Sequence, residues 1–469
     1  MSNDAYLELI AAKSRYNYDA GFDCNAKWSH LFPFQSDLVR WGLRKGRSAF
    51  FEGTGLGKTR QQITVGHEVV NHAGTNSRFL LVAPLAVVRQ TIAEGQSIGI
   101  DVRYVVDNSE VRPGISITNF ERVKSLDASM FDGIGLDESS ILKNGDGTIR
   151  TMLITMFART PYRFAFTATP APNDLDELGN HAEFLGVMTL AEMRAMFFTH
   201  GGENGETQKW ILKGHAKQAF WRWVCRWAAV VRMPSDLGYP DDGYVLPNLT
   251  YVEHVIPATH EHARAQGKLY AEHAKGLKEQ RAAKKATIDD RVALVARIAN
   301  SSSDRCVVWC HLNAESTAAT KLINGAVEIT GAQKAEEKAE KIQAFSDCKI
   351  DRVVVKPDIA GMGVNWQKSH VQIWLGVSNS FEEFFQAVRR QWRFGQDEPV
   401  TVHVISSELE GGVVANIKRK QAEFDAMTAE MSAMTMQYVR ANVRSTSQDV
   451  VVYNPTRPMM LPSWIVSQP

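Results

Sequence analysis

Residues 51–59 read FEGTGLGKT, a glycine-rich turn between an apolar run and a helical pattern. Glycines there let backbone N–H groups approach phosphate oxygens, and the start of the following helix adds partial positive charge. In this spacing Gly55, Leu56 and Gly57 supply the loop backbone, Lys58 reaches the terminal phosphates of a nucleotide, and the Thr59 hydroxyl meets Mg2+. The strict phosphate-loop pattern asks for glycine at position 52, where this chain has Glu52; the last five residues, GLGKT, are intact.

A second constellation follows at LDESS, where Asp137 and Glu138 leave the end of an apolar strand-like run. Adjacent buried carboxylates are costly to desolvate unless something binds them. ATP and its metal give them work: Asp137 holds the cation and Glu138 accepts the proton of the attacking water. Charge also develops on the transferring phosphoryl group, and guanidinium groups stabilise it. QAVRRQWRFGQ, residues 386–396, offers Arg390 and Arg393, whose spacing predicts one shared helix face. They lie far along the chain from Lys58, so their use at the same site requires ATP between two lobes. A cleft that closes on ATP and opens after hydrolysis is a motor, and a motor requires a track.

The elements that must position these groups alternate between strand-like and helical patterns. SAFFEG, RFLLVAP, VRYVVD, GISITNF, DGIGLDE and YRFAFTATP read as strands in the first half; CVVWC, AVEIT, RVVVKP, VQIWLGV and VTVHVIS form a second set. Helical segments lie between, which predicts two α/β lobes, each with a parallel sheet and with ligands at the carboxyl ends of its strands. Between the sets, QAFWRWVCRWAAVVRM reads as helical, with Phe220, Trp223 and Trp227 on one face and core packing as the reading of its aromatics. A Lys/Ala-rich helical region runs from 259 to 300, with Lys278, Arg281 and Lys285 on a solvated face. A final helix spans 408–441, with Ile417, Phe424, Met427 and Met431 as an apolar stripe.

The chain has 469 residues, 44% hydrophobic and 22% charged, with a formal net charge of +1. That composition suits globular domains with sizeable cores and leaves room for a local basic cleft. Five scattered cysteines argue against a disulfide framework and for a reducing compartment; Cys306 and Cys310 read as small hydrophobes in a buried strand. No apolar run is long enough to span a membrane, and the N-terminal residues do not read as a signal peptide. The expected location is the cytoplasm.

Taken together and in this order, these motifs resemble those of superfamily 2 helicases and translocases, most of all the Swi/Snf-type branch in its compact, bacteriophage-encoded form. The resemblance covers roughly residues 31–407. FPFQSDLVRW is similar to the Q motif, which implies that Gln35 reads adenine. EGTGLGKT is similar to that branch's DEMGLGKT, and LDESS holds the place of DEAD or DEAH. LLVAPLAVVRQ and ITNFE resemble the motifs that follow the nucleic-acid backbone, implying such contacts for Pro84, Leu85, Thr118 and Asn119. FTATPAPND resembles motif III, which implies that Thr167 and Thr169 couple the nucleotide site to the track. AGMGVNWQ is similar to GGLGINL, which assigns Gly363 to the nucleotide and Asn365 to the backbone, and QAVRRQWRFGQ fits motif VI of the branch. Ser140 occupies a position that communicates with motif III in the family.

The resemblance implies two RecA-like parallel-sheet lobes with helical insertions and a C-terminal helix. The expected division is an ATP-binding lobe over 1–187, a Trp-rich helical insertion and linker over 188–250, a second lobe with its leading helices over 251–412, and a helix with a Pro-rich tail over 413–469. The implied activity is ATP- and Mg2+-dependent movement on single- or double-stranded DNA, as a helicase or duplex translocase. An RNA helicase and a nucleotide-gated clamp without motor activity stand as the alternatives. Protein partners, polarity and pathway are left open.

Overall fold

The computed structural model describes residues 20–143, 147–172, 174–201, 210–257, 259, 277–360, 364–378, 380–410 and 413–444. The first sheet holds β1 (Arg47–Glu52), β2 (Arg78–Ala83), β3 (Val102–Tyr104), β4 (Gly114–Asn119), β5 (Gly133–Asp137) and β6 (Tyr162–Thr167). A short antiparallel pair, β7 (Phe198–His200) and β8 (Trp210–Leu212), precedes β9 (Ala228–Val231), which returns to the first sheet. Its order is β3-β4-β2-β5-β6-β1-β9, and every pairing is parallel.

The second sheet holds β10 (Leu249–Ile256), β11 (Cys306–Trp309), β12 (Ala326–Ile329), β13 (Arg352–Val355), β14 (Val371–Leu375) and β15 (Val400–Ser407). Its order is β10-β15-β14-β11-β13-β12, again with all pairs parallel. The fold is therefore two parallel-sheet α/β lobes.

Each sheet is covered on both faces, which is why its strands read as near-continuous apolar runs. Along β2, Leu80 and Val82 enter one core while Phe79, Leu81 and Ala83 enter the other. Val353 and Val355 of β13 likewise face one layer of the second lobe, and Val354 faces the opposite one. Cys306 and Cys310 are buried there, and all five cysteines are free. Among the described residues, no helix is long and apolar enough to cross a membrane.

The segment QAFWRWVCRWAAVVRM departs from the helical reading. Its helix covers only Lys217–Val224, and Ala228–Val231 becomes β9 on the open edge of β1. The helical spacing of the aromatics continues past the true helix end, but the Val pair and a vacant parallel edge decide the structure. Trp210, ahead of this segment, lies in β8. The core reading of the aromatics holds: Phe220, Trp221, Trp223 and Trp227 are buried, and Trp227 stacks edge-on against Phe51 of β1 at 5.9 Å. Trp227→Ala should therefore lower stability by ~3–5 kcal/mol in denaturant unfolding, whereas a base-stacking surface residue would change it little.

The predicted C-terminal helix is present as Val413–Arg444 and crosses both lobes. Ile417 and Phe424 pack into the second lobe, Met431 into the first, and Met427 touches both cores. On the first lobe, Glu430 accepts a hydrogen bond from Trp221 Nε1 at 3.0 Å, and Ser432 donates to Asp236 at 3.2 Å. The Lys/Ala-rich region is divided into Leu277–Ala286 and Ile288–Ser301. Arg281 and Lys285 are exposed, as a solvated face requires; the Lys278 side chain lies outside the described residues.

Candidate nucleotide site between the lobes

Because all strands of the first sheet run the same way, their carboxyl ends share one edge. Phe51 of β1 lies beside Thr167 of β6, and Phe166 lies beside Asp137 of β5. This register brings the glycine-rich loop, the carboxylate pair and Thr167 to adjacent strand ends.

The loop after β1 leads into a helix, Lys58–Ala73, capped by Gly57. Gly55 and Gly57 have φ of 89° and 83°, which side chains with a Cβ rarely adopt. Space is short as well: a Cβ on Gly57 would meet Gln35 Nε2 at 2.2 Å, and one on Gly55 would meet the Phe394 backbone at 2.9 Å. Gln35 is buried and braces the loop, its Nε2 donating to the Leu56 carbonyl at 2.8 Å while Oε1 accepts from Phe32 N. Lys58 Nζ donates to the carbonyls of Glu52 and Gly53 at 2.9 and 3.0 Å.

Glu52, the residue that breaks the strict glycine pattern, is completely buried beneath this loop. Its Oε2 accepts from Gln61 Nε2 at 2.7 Å, tying the strand end to the helix. Burial raises its carboxyl from 4.5 to about 7, against the opposing pull of Lys58. A raised carboxyl contributes stability that is fully present below its unfolded value and is lost as pH rises through about 7. Unfolding free energies at about pH 5 and about pH 8 should therefore differ less in Glu52→Gln than in the wild type, and an unchanged difference would refute this role.

Asp137 and Glu138 close β5. Burial raises the Asp137 carboxyl. Burial first, and the neighbouring Asp137 charge second, push Glu138 up to about 7. Glu138 has φ of 53°, a conformation that non-glycine residues adopt at a cost and that is concentrated at functional sites. Its amide donates to Asp137 Oδ1 at 3.2 Å, and its Oε2 accepts from Thr167 Oγ1 at 3.4 Å. The next residue, Ser139, pairs through Oγ with His181 Nε2 at 3.1 Å. Burial lowers His181 to about 4, so the imidazole there is neutral near pH 7.

The second lobe supplies the arginines, though not from one helix face. Its helix is Phe381–Val388, and Arg390 and Arg393 lie in the turns that follow. Polar side chains replace the expected helical geometry. Gln391 Nε2 donates to Ser369 Oγ at 2.6 Å, Gln396 Nε2 donates to the Ser369 carbonyl at 3.0 Å, and Gly395 turns at φ 82°. Burial lowers Arg390 to about 10 while Glu138 and Asp137 pull it back up; burial lowers Arg393 as well, and its charge acts on Lys58. Lys58 and Arg390 thus act on the same acids from opposite lobes, while the charge of Arg393 acts on both of these cations. Phe394 reaches over Gly55 and packs on Tyr244 at 4.8 Å, adding an apolar contact across the lobes.

The other expected contacts divide into exposed and enclosed groups. Pro84 caps the helix Leu85–Ser97, with Leu85 58% exposed, and Asn365 is exposed. Thr118 is buried, with its hydroxyl donating to the Val105 carbonyl at 2.8 Å, and Asn119 Oδ1 accepts from Arg122 N at 3.0 Å. Thr167 and Thr169 are buried, with Thr169 N donating to Thr167 Oγ1 at 3.1 Å. Thr59 lies in the first turn of its helix. Gly363 lies outside the described residues. His181 had no motif to mark it in the sequence, and Glu52 and Phe394 lie inside quoted motifs at positions to which no role was assigned.

Comparison with known proteins matches residues 289–395 to the helicase conserved C-terminal domain. An ATP-dependent RNA helicase SUB2 of Saccharomyces cerevisiae is 26% identical over 131 residues, covering 27% of this chain and 28% of that protein. SUB2 of Kluyveromyces lactis is also 26% identical over 131 residues, covering 27% of this chain and 29% of that protein. The chain spans under a third of the length of these relatives. Among solved structures, a Sulfolobus solfataricus SWI2/SNF2 ATPase core in complex with dsDNA aligns with 89% of this chain and 97% of its own, at 18% identity and a TM-score of 0.40. The matched segment runs from the helix Ile288–Ser301 through Gly395 and includes both arginines, so the second lobe carries a region similar to the helicase conserved C-terminal domain.

Proposed function

We propose that this chain is an ATP-dependent motor on nucleic acid, acting as a DNA helicase or duplex DNA translocase. The supporting observation is that Lys58, Asp137 and Glu138 of one lobe share an electrostatic site with Arg390 and Arg393 of the other. In this reading the backbone of Gly55, Leu56 and Gly57 and the Lys58 ammonium bind phosphate oxygens. Thr59 and Asp137 hold Mg2+, which offsets phosphate charge when bound. The donor set fits these groups: the Lys58 ammonium and the Thr59 hydroxyl stand in the first turn of one helix, the Lys58 charge acts on the Asp137 carboxylate, and the buried Thr54 Oγ1 has no protein partner.

Glu138 accepts the proton from the attacking water, and its raised carboxyl suits transfer near neutral pH. Arg390 and Arg393 balance the charge that develops on the phosphoryl oxygens. Gln35 reads adenine and Gly363 completes the nucleotide site. Pro84, Leu85, Thr118, Asn119 and Asn365 follow the nucleic-acid backbone, and Thr167 and Thr169 couple the two functions. We divide the chain near the expected boundaries, with the first lobe extended to take in β9.

DNA is the proposed track because the motif VI pattern of residues 386–396 resembles that of the Swi/Snf-type branch. The similarity to SUB2 supports a second reading, an RNA helicase. ATP turnover with duplex DNA, single-stranded DNA and RNA, alongside strand displacement, decides between them. Stimulation by RNA alone would overturn the DNA assignment, and duplex-stimulated turnover without displacement would identify a translocase.

A further inference from the structure

A single carboxylate of the second lobe reaches the strand ends of the first. Glu382 stands in the first turn of the helix Phe381–Val388 and is largely buried. Its Oε2 pairs with Lys143 Nζ of the first lobe. Lys143 is the last residue of the turn Ser139–Lys143, which follows Glu138 directly. The other oxygen, Oε1, accepts from Thr169 Oγ1 across the interface at 3.4 Å and from Gln386 Nε2 of its own helix at 3.4 Å.

These contacts close a loop around the proposed base. Thr169 N donates to Thr167 Oγ1, and Thr167 Oγ1 donates to Glu138 Oε2. Lys143 reaches the same Glu138 through five residues of backbone, and its carbonyl is held by Asn180 Nδ2 at 3.0 Å. Glu382 therefore grips both flanks of Glu138 without touching it: the segment that follows it and the threonine that bonds its carboxylate. An ordinary surface ion pair contributes little to stability and has no reason to meet a second first-lobe residue. Lys143 and Glu382 are instead only 29% and 11% exposed, and the helix that carries Glu382 continues into the arginine-bearing turns.

We infer that Glu382 is a positioning residue, which through Lys143 and Thr169 sets the orientation of Glu138 when the lobes are together. The inference rests on the ATPase reading above. It makes hydrolysis conditional on lobe contact: separation removes the arginines and, with the same movement, releases the base. The strained Glu138 backbone is the part that this contact would hold.

The test uses the full chain with saturating nucleic acid. Glu382→Ala and Lys143→Ala should each lower kcat by about 10- to 100-fold, the scale expected of a misplaced catalytic group, with KM for ATP little changed. The double variant should be about as slow as either single one, because the pair acts as a unit. Glu382→Gln, which keeps the size of the side chain and removes its charge, serves as the second variant should alanine impair folding, and it should likewise lower kcat with KM for ATP little changed. A kcat within about twofold of wild type, a loss confined to KM, or multiplicative losses in the double variant would overturn the inference. Those outcomes occur with an active wild type, whereas a wild type without ATP turnover would overturn the ATPase reading and this inference with it.

Discussion

Arg393→Ala is expected to lower nucleic-acid-stimulated ATP turnover by about 10³–10⁵, the range for loss of an arginine that stabilises a transferring phosphoryl group. The argument begins with its cost. Arg393 is buried enough for its guanidinium to be lowered, and among the described contacts it donates only to the Val364 carbonyl at 3.4 Å while its Nε has no protein partner. A desolvated cation with weak protein bonding is explained by an anion that arrives. Its charge already acts on Lys58 of the opposite lobe. The charges of Asp137 and Glu138 act on Arg390, which is the alternative for this role. Near-normal turnover in Arg393→Ala would transfer the role to Arg390, and steady-state ATPase rates of the two alanine variants separate the cases.

Glu138→Gln should reduce turnover by about 10²–10⁴ while ATP still binds. Glutamine preserves the side-chain size and can still meet Thr167 Oγ1, so the loss isolates proton acceptance. The pH profile gives an independent sign. Burial and Asp137 raise Glu138 to about 7, and a base works only when ionised. Wild-type kcat should therefore fall as pH drops below about 7, and the residual rate of Glu138→Gln should lack that limb. Equal pH profiles would remove Glu138 from the role of base, whatever the size of the rate loss.

The sequence revealed most of this arrangement through patterns that local physics makes strict. Parallel strands buried on both faces must be apolar throughout, so the strands carrying the loop and the acids were legible, though not the order in which they lie in the sheet. Gly55 and Gly57 were legible because only glycine meets both the backbone and the space at the loop. What escaped depended on distant contacts. β9 was hidden because its aromatics continue a helical spacing, and only the open edge of β1 makes Ala228–Val231 a strand. Arg390 and Arg393 were found, but their helix was not the carrier, because Gln391 and Gln396 bond to Ser369 and hold a turn instead. Glu52 looked like a defect in a motif until its burial and its bond to Gln61 gave it a place. The Glu382–Lys143 pair joins residues far apart in sequence, and neither belongs to a recognisable pattern.

The central claim is that one lobe binds ATP and the other completes the machinery for its hydrolysis on a track. The most direct measurement is steady-state ATP turnover by the full chain with Mg2+, in the absence of nucleic acid and at saturating duplex DNA. The account predicts turnover that rises with DNA. Bound ATP without turnover above background on duplex DNA, single-stranded DNA or RNA would contradict it, and would identify a nucleotide-gated clamp instead of a motor.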